Sequence, residues 1–569
     1  MPVLTIKTTD GDRHVEFSPG QSLRDILDLT SYRVRSGCRG TGACGLCRVR
    51  TVLDGLDEAT LAERLYLSSD QLATGVRLAC QVKPKQSLEV TVLNQAPLSK
   101  WKTINPCHHT GLHLRELPGC PPAGLPGDVK NPFGVAIDLG TTHISLAFRD
   151  LLTGEWITGR FGLNPQGEYG TDVITRLTAA CESREHAGAL RRHAVDAVGD
   201  AIADIAGREG ISPEQVVKIV LCGNTAMTAL LSGKNYDLLL KPAQWMRYID
   251  CLPEDTSEYT RIWGIHPEAG VHILPPIAGF VGSDLTAGIL ATRLTESEPG
   301  TLLIDFGTNS EVALWDGKSL WVTSAAGGPA FEGCGISCGM PAESGAIYQV
   351  RSLNGGDRGS SGVSGSTSSR DDTDKGTGYP MPISPGLTLY SRTIDGENPA
   401  GLCGSGIVDV IACLVRSGKL TSMGRFSPDV GQKGLTLFNG ERNLVLTKKD
   451  VDAFQRAKAA VSAAIMILLS KARMSSSELG KVFIGGAFGR FLTRADAVET
   501  GLLPDMEPQN ISLCSNTALA GCELLLSSPE PGNCLKEAVA GAKVINLSQE
   551  ADFNDFFLEG LYLRRWSNQ

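Results

Sequence analysis

The sequence predicts a multidomain chain that joins two fold classes: a small α+β module carrying a cysteine cluster, then a duplicated α/β core. Three observations predict it. Cys38, Cys44 and Cys47 fall within ten residues, and Cys80 follows at a distance. Ile137-Asp138-Leu139-Gly140-Thr141-Thr142 recurs 167 residues later as Ile304-Asp305-Phe306-Gly307-Thr308-Asn309. From Phe133 onward, strand-length apolar runs alternate with amphipathic helical stretches. A chain of 569 residues has room for about three to five ordinary domains.

The module, residues 1–94, opens with alternating apolar positions at Val3–Ile6, a Thr9-Asp10-Gly11 turn and a second strand at Arg13–Phe17. This pattern is a β-hairpin. Ser22 precedes Leu23-Arg24-Asp25-Ile26-Leu27, and an acidic residue three positions after a serine marks a helix start. Residues 95–132 contain seven prolines and read as a linker or small connecting element that lets the first module move. Residues 133–299 form a middle region, the first half of the duplication, and 300–569 form the second half. A helix is expected over Glu185–Ile205, with Ala187, Leu190, Ala194, Val198 and Ile202 on one face. Another is expected over Asp450–Met474, with Thr447 as N-cap. Residues 354–378 hold seven Gly, six Ser and three Thr, and read as a flexible insertion without chemistry of its own.

Composition excludes several function classes. With 42% hydrophobic and 20% charged residues the chain is globular. Its longest apolar run, near Ala460–Leu469, is too short to span a bilayer, and no secretory signal opens the chain. A cytoplasmic protein is expected, with no membrane partner. The net charge of −9 and the absence of a long basic run argue against nucleic acid. Sixteen cysteines in such a chain point to metal or redox chemistry rather than disulfides.

The cysteine spacing is C-x5-C-x2-C-x32-C. The short loop can wrap one iron centre with three thiolates, and Cys80 can close the coordination from another segment. Glycines at 37, 40, 42 and 45 let backbone N–H groups approach sulfur. With one residue more in the first gap than the plant-type pattern, this spacing suits a [2Fe–2S] cluster in a β-grasp ferredoxin. Zinc and buried structural thiols are the alternatives, and zinc favours paired C-x2-C knuckles. Five arginines between Arg33 and Arg50 would favour electron uptake and could dock an acidic partner, or form a solvated face. Cys107, His108, His109, His113 and Cys120 are metal-binding types at a spacing that matches no zinc pattern.

In each repeat an aspartate ends a buried strand, a glycine turns the chain, and small hydroxyl or amide residues follow. Backbone N–H and hydroxyl groups of such a turn can hold phosphate oxygens while the aspartate handles Mg²⁺ or its water. Gly140, Thr141, Thr142, Gly307, Thr308 and Asn309 are the candidate phosphate contacts, with Asp138 and Asp305 the catalytic carboxylates. Two copies at domain spacing suggest hairpins gripping a polyphosphate from both sides. Gly485, Gly486 and Gly489, in Val482–Gly489, form a strand-to-turn element where a planar base could lie near backbone. Gly404 and Ser405, in Cys403-Gly404-Ser405-Gly406, form a similar turn that suits phosphate contact or simple packing.

These hairpins and the Gly485 turn resemble the actin, sugar-kinase and heat-shock-chaperone ATPase superfamily. The whole chain more specifically resembles the reductive activators of corrinoid enzymes. Supporting stretches are Asn164-Pro165-Gln166, Gly223-Asn224-Thr225-Ala226-Met227, Gly328–Gly333, Ile336–Met340 and Cys403–Gly406. Ser310 departs from the glycine more usual there. The resemblance implies a duplicated RNase H-like ATPase behind the ferredoxin domain, with a [2Fe–2S] cluster, ATP and Mg²⁺ as cofactors. It also implies a function: ATP-dependent reduction of a corrinoid protein from Co(II) to Co(I) for methyl transfer. The partners are then a corrinoid protein of a methyltransferase system and an upstream electron donor, with a homodimer left open. Two alternatives stay open. One is an activator of another low-potential enzyme, for which Cys334 and Cys338 are the nearest additional thiols and read as core. The other is a small-molecule kinase with a redox sensor, for which Asp284 could serve as base or as helix N-cap.

Overall fold

The computed structural model describes residues 2–566 except 9–10, 29, 31, 35–39, 41, 43–44, 46, 53–54, 96–99, 105–111, 113–125, 127–128, 171, 332–335, 353–377, 385–386, 431–433, 440–442 and 487. The Cys107–Cys120 group, Cys334 and all but Gly378 of the 354–378 insertion lie outside the described residues.

The N-terminal module is a five-stranded sheet in the order β2-β1-β5-β3-β4. Its strands are β1 (Val3–Ile6), β2 (Arg13–Glu16), β3 (Arg48–Thr51), β4 (Val76–Leu78) and β5 (Leu88–Val92). The expected hairpin pairs Val3 with Glu16 and Ile6 with Arg13. Helix α1 (Leu23–Asp28) starts where Ser22 and Asp25 exchange side-chain-to-backbone hydrogen bonds at 3.2 Å. Leu23, Ile26 and Leu27 from that helix are fully buried against Leu4, Ile6 and Val49. Helices α2 (Leu61–Tyr66) and α3 (Ser69–Ala73) each begin on a capping box.

The proline-rich stretch is more than a tether. Its strand β6 (Lys102–Thr103) pairs with Arg160 and Phe161, and Trp101 is buried beside it. Beyond it run β7 (Phe133–Leu139), β8 (His143–Asp150), β9 (Trp156–Leu163), α4 (Val173–Glu182), α5 (Arg184–Glu209), β10 (Val216–Gly223), α6 (Thr225–Ser232), α7 (Ser257–Trp263), β11 (Gly270–Ile273) and α8 (Ser283–Thr292). The second half begins with β12 (Thr301–Phe306), β13 (Ser310–Trp315) and β14 (Leu320–Ala325). Next come α9 (Gly328–Phe331), β15 (Ala346–Ser352), β16 (Tyr379–Ser384), β17 (Leu387–Thr393), β18 (Gly401–Leu402), α10 (Gly404–Arg416), β19 (Leu435–Phe438), β20 (Leu444–Leu446) and α11 (Lys448–Ala472). The chain ends through β21 (Lys481–Gly486), α12 (Arg494–Glu499), β22 (Ile511–Leu513), α13 (Thr517–Leu525), α14 (Pro531–Ala538), β23 (Lys543–Val544) and α15 (Phe553–Gly560).

Two compact units result. The first holds residues 1–325, 467–490 and 509–550. It contains two six-stranded sheets with matching topology, β11-β10-β7-β8-β9-β6 and β22-β21-β12-β13-β14-β23. In each, three sequential antiparallel strands are extended by two parallel strands beside the first, so the sequence repeat is a structural repeat. Helix α5 covers the first sheet with Leu190, Ala194, Val198 and Ile202 buried, the expected face. It stops at Gly210, whose φ of 69° is the left-handed conformation glycine adopts cheaply at a helix end. Helices α8 and α13 pack side by side and bury residues in the cores of both sheets. A Cβ on Gly521 would lie 2.1 Å from the Ala287 carbonyl, so this close crossing requires glycine.

The second unit holds residues 326–466, 491–508 and 551–569. Its sheet runs β16-β17-β15-β18, backed by α10, with the hairpin β19-β20 beside it. At the start of α11, Thr447 and Asp450 cap each other as expected, and Asp450 also accepts from the Ser337 amide at 2.7 Å. Helix α11 is the one described helix long and apolar enough to cross a membrane; 78% of that window is buried inside the protein.

Candidate functional site

Of the four thiols expected to hold the cluster, Cys47 and Cys80 lie within the described residues; Cys38 and Cys44 do not. Cys47 sits at the entry to β3 and Cys80 in the turn after β4, both buried. Their Sγ atoms are 3.4 Å apart. Two thiolates on one tetrahedral metal, with metal–sulfur bonds of about 2.3 Å, stand roughly 3.8 Å apart, so the pair is placed to share one metal. The Cys80 thiol is pulled down to about 6, chiefly by its hydrogen bond with Cys47, against burial and helped by Gln81 and Arg24. Thiolate character at neutral pH is what a metal ligand needs. Gly42 has φ +83° and would place a Cβ 2.8 Å from Ala62; the loop therefore passes tight against α2.

The arginines divide. Arg33 is buried and spent within the chain: it donates to the Trp101 carbonyl at 3.1 Å and pairs with Asp204 at 3.3 Å. The acidic group it docks belongs to this protein. Arg48 donates to the Gly45 carbonyl at 3.0 Å, and Arg50 stays exposed.

The repeated hairpins face each other within the first unit. The Thr142 hydroxyl of the first turn and the Thr308 hydroxyl of the second, one position out of step in the repeat, are 3.3 Å apart. The N-terminus of α13 lies between the two aspartates. Asn516, its N-cap, donates to Asp138 Oδ2 at 2.7 Å, and the Thr517 hydroxyl donates to Asp305 Oδ2 at 3.2 Å. Thr141 is buried and accepts from Asn224 at 2.8 Å, while Asn164 donates to the Gly140 carbonyl at 2.9 Å. In the second turn the Gly307 amide donates to the Asn309 carbonyl at 2.8 Å.

Burial pushes the Asp138 carboxyl up to about 6, opposed by the Asn516 hydrogen bond. Asp305 rises to about 7 through burial and the charge of Asp138. Asp284 rises to about 7 through burial and the charges of Asp305 and Asp138. Glu311, paired across the hairpin with Asp305, is raised well above its usual range by burial, Asp284 and Asp305. Among the described residues no three such groups stand close enough to make a ready metal cage. The hard oxygen donors and their mutual repulsion nevertheless suit a Mg²⁺ ion arriving with phosphate.

Asp284 is not the N-cap of α8. Gly282 holds that place, and Asp284 sits in the first turn, accepting from the Leu285 amide at 2.8 Å. The glycines at 485 and 486 give way to protein. Parallel pairing of β12 with β21 sets Asp305 beside Gly485, and a Cβ on Gly486 would lie 2.4 Å from Asp305 Oδ1. A Cβ on Gly489 would lie 2.5 Å from the Ser515 amide. In the second unit, Gly404 and Ser405 open α10. Ser405 is buried with its hydroxyl 3.4 Å from Cys403 Sγ, and a Cβ on Gly406 would strike the Ile347 carbonyl at 2.1 Å.

Sequence reasoning did not single out Asn164, Asn224, Asn516, Thr517 or Glu311 as parts of the site. The first two stood inside stretches noted for other reasons. For Asn516 the signal was an asparagine ahead of an apolar helical run, the mark of an N-cap and of nothing more.

Residues 7–85 match the 2Fe-2S iron-sulfur cluster binding domain, 133–297 the RACo middle region, and 300–568 the C-terminal ASKHA domain of RACo. The chain is 30% identical over 436 residues to the corrinoid activation enzyme RamQ of Eubacterium limosum, across 71% of this chain and 66% of that one. It is 26% identical over 451 residues to the [Co(II) methylated amine-specific corrinoid protein] reductase of Methanosarcina barkeri, across 75% and 76%. A solved structure titled reductive activator for corrinoid, iron-sulfur protein superposes with a TM-score of 0.62 at 25% identity, covering 99% of this chain and 98% of that one.

Proposed function

The chain belongs to the family of reductive activators of corrinoid proteins, and on that premise we propose that it is an ATP-hydrolysing iron–sulfur reductase. It passes one electron from a [2Fe–2S] cluster to the Co(II) of a corrinoid protein and so regenerates Co(I) for methyl transfer. The observation that carries this reading is a ferredoxin-type thiol pair built into the same chain as two facing phosphate turns. Downhill electron transfer requires no nucleotide. Raising an electron by 100 mV costs about 2.3 kcal/mol, which a nucleotide-biased conformation can supply.

Cys38, Cys44, Cys47 and Cys80 hold the cluster. The 3.4 Å contact supports Cys47 and Cys80 on one iron, leaving Cys38 and Cys44 for the other, in place of three thiolates around one. Asp138 and Asp305 support Mg²⁺, Thr141, Thr142, Thr308 and Asn309 contact phosphate with Gly140 and Gly307, and Gly485, Gly486 and Gly489 border adenosine. An upstream electron donor is the second partner, and the chain works in the cytoplasm.

Anaerobic spectroscopy with a Co(II) corrinoid protein tests the coupling. The cluster bleaches with reductant alone, and the Co(I) band appears only with Mg²⁺–ATP. Equal Co(I) formation without nucleotide would sink the reading. Iron and sulfide analysis with EPR tests the ligands: Cys44→Ser changes the reduced signal and Cys107→Ser does not.

A further inference from the structure

The cluster module is fastened to the nucleotide-binding half by buried charge. Arg24, on α1, sends Nη2 to both oxygens of Glu209, at 2.7 and 2.8 Å, and both side chains are buried. Glu209 is the last residue of α5, the helix that backs the first hairpin sheet. Three more contacts surround the pair. Asp204 accepts from Arg160 at 2.7 Å and from Arg33 at 3.3 Å, and Arg208 donates to the Val34 carbonyl.

The other side of Arg24 faces the thiol loop. A Cβ built on Gly40 would lie 3.0 Å from Arg24 Nη1 and 3.8 Å from Cys80 Cβ, so the guanidinium and the Cys80 side chain flank the same glycine. The Arg24 amide donates to the Ala79 carbonyl at 3.0 Å and the Leu23 amide to Val82 at 2.7 Å, which bolts the start of α1 to the Cys80 turn from both sides. One guanidinium therefore touches the cluster loop and the neighbouring domain together.

We infer that Arg24 is a positioning residue whose charge is shared between the cluster loop and Glu209, so that the cluster's reduction potential reports whether the module is docked on α5. This rests on the cluster assignment above. A positive charge near an iron–sulfur centre favours its reduced, more negative form, and a neighbouring carboxylate offsets that effect. Docked, the pair is close to neutral and the cluster is the stronger donor. Undocked, Arg24 remains with the cluster while Glu209 leaves, and the cluster holds its electron more readily. Arg24 thus makes an undocked module easier to charge and a docked one easier to discharge.

The test is potentiometric titration of the full chain with its cluster loaded, alongside limited proteolysis within 95–132. Iron content and EPR are recorded for every variant. Glu209→Gln is expected to raise the midpoint, so that at the wild-type midpoint the reduced-to-oxidised ratio increases about three- to tenfold, tenfold being about 59 mV for one electron. Arg24→Gln is expected to move it the opposite way. Both single variants are cut faster in the proline-rich stretch, because each breaks the buried Arg24–Glu209 pair. The double variant Arg24→Met, Glu209→Met removes both charges at similar volume, and its midpoint and cleavage rate return toward wild type. Single variants that shift the midpoint in the same direction, or leave it unchanged, overturn the inference. A wild-type protein without iron and sulfide would instead overturn the cluster reading beneath it.

Discussion

The two candidate phosphate turns share a topology and differ in what surrounds their aspartates. Across the first hairpin Asp138 faces Ser145; across the second Asp305 faces Glu311. Asp138 receives an amide hydrogen bond at 2.7 Å, whereas Asp305 receives a hydroxyl at 3.2 Å and is crowded by the Gly485–Gly486 turn. Burial raises both carboxyls, and the charge of Asp138 pushes Asp305 up further. Duplication supplied two equal turns. The second holds two carboxyls across its hairpin where the first holds one, and crowding of buried carboxyls makes ionisation there more dependent on a cation.

The strongest way to break this comparison is to remove each carboxylate. Asp305→Ala and Asp138→Ala are each expected to cut ATP turnover by about 10²-fold or more, with the EPR signal of the reduced cluster unchanged. Full turnover in either variant would show that its turn is structural. Next in size are the supporting groups on α13. Asn516→Ala removes the Asp138 donor and the helix cap together, at about 1 kcal/mol for the cap, and lowers turnover roughly tenfold. Thr517→Val, keeping the shape of the side chain, is expected to weaken apparent Mg²⁺ affinity a few-fold through Asp305 alone, read from the Mg²⁺ dependence of turnover.

Smaller still is a pH effect. Both carboxyls have native values above the unfolded range, so their contribution to stability is complete below about pH 4 and is lost as pH rises through about 6 for Asp138 and about 7 for Asp305. Urea unfolding of the nucleotide-free protein should show stability falling between about pH 4 and 7. Asp305→Asn should flatten that fall more than Asp138→Asn, and saturating Mg²⁺–nucleotide should abolish the difference. Equal flattening by the two variants would remove the asymmetry.

The cysteine spacing and the repeated hexapeptide made both candidate sites legible before any coordinates. They did so because a thiolate loop and a phosphate turn are local objects, set by residues a few positions apart. The helix caps at Ser22 and Thr447 were legible for the same reason. What could not be read were partners brought in from far along the chain. Asn516 reaches Asp138 across 378 positions, and Arg24 reaches Glu209 across 185. Nothing in the local pattern around Asn516 distinguishes a cap that also orients a carboxylate from a cap that does not.

The proline-rich stretch shows the same division. Its composition established that no long helix or strand could form there, since proline lacks the amide donor. It did not establish that the module ahead would be free, because docking is decided by the buried Arg24, Arg33 and Glu209 and the half-buried Asp204, four charged residues that each look like ordinary surface in sequence. The sequence by itself determined the chemistry available: thiols for a cluster, carboxylates and hydroxyls for Mg²⁺ and phosphate, and a duplicated sheet to carry them. Only the tertiary structure decided which charges were removed from water and against whom, because desolvation depends on the packing of distant segments and not on neighbours in the chain.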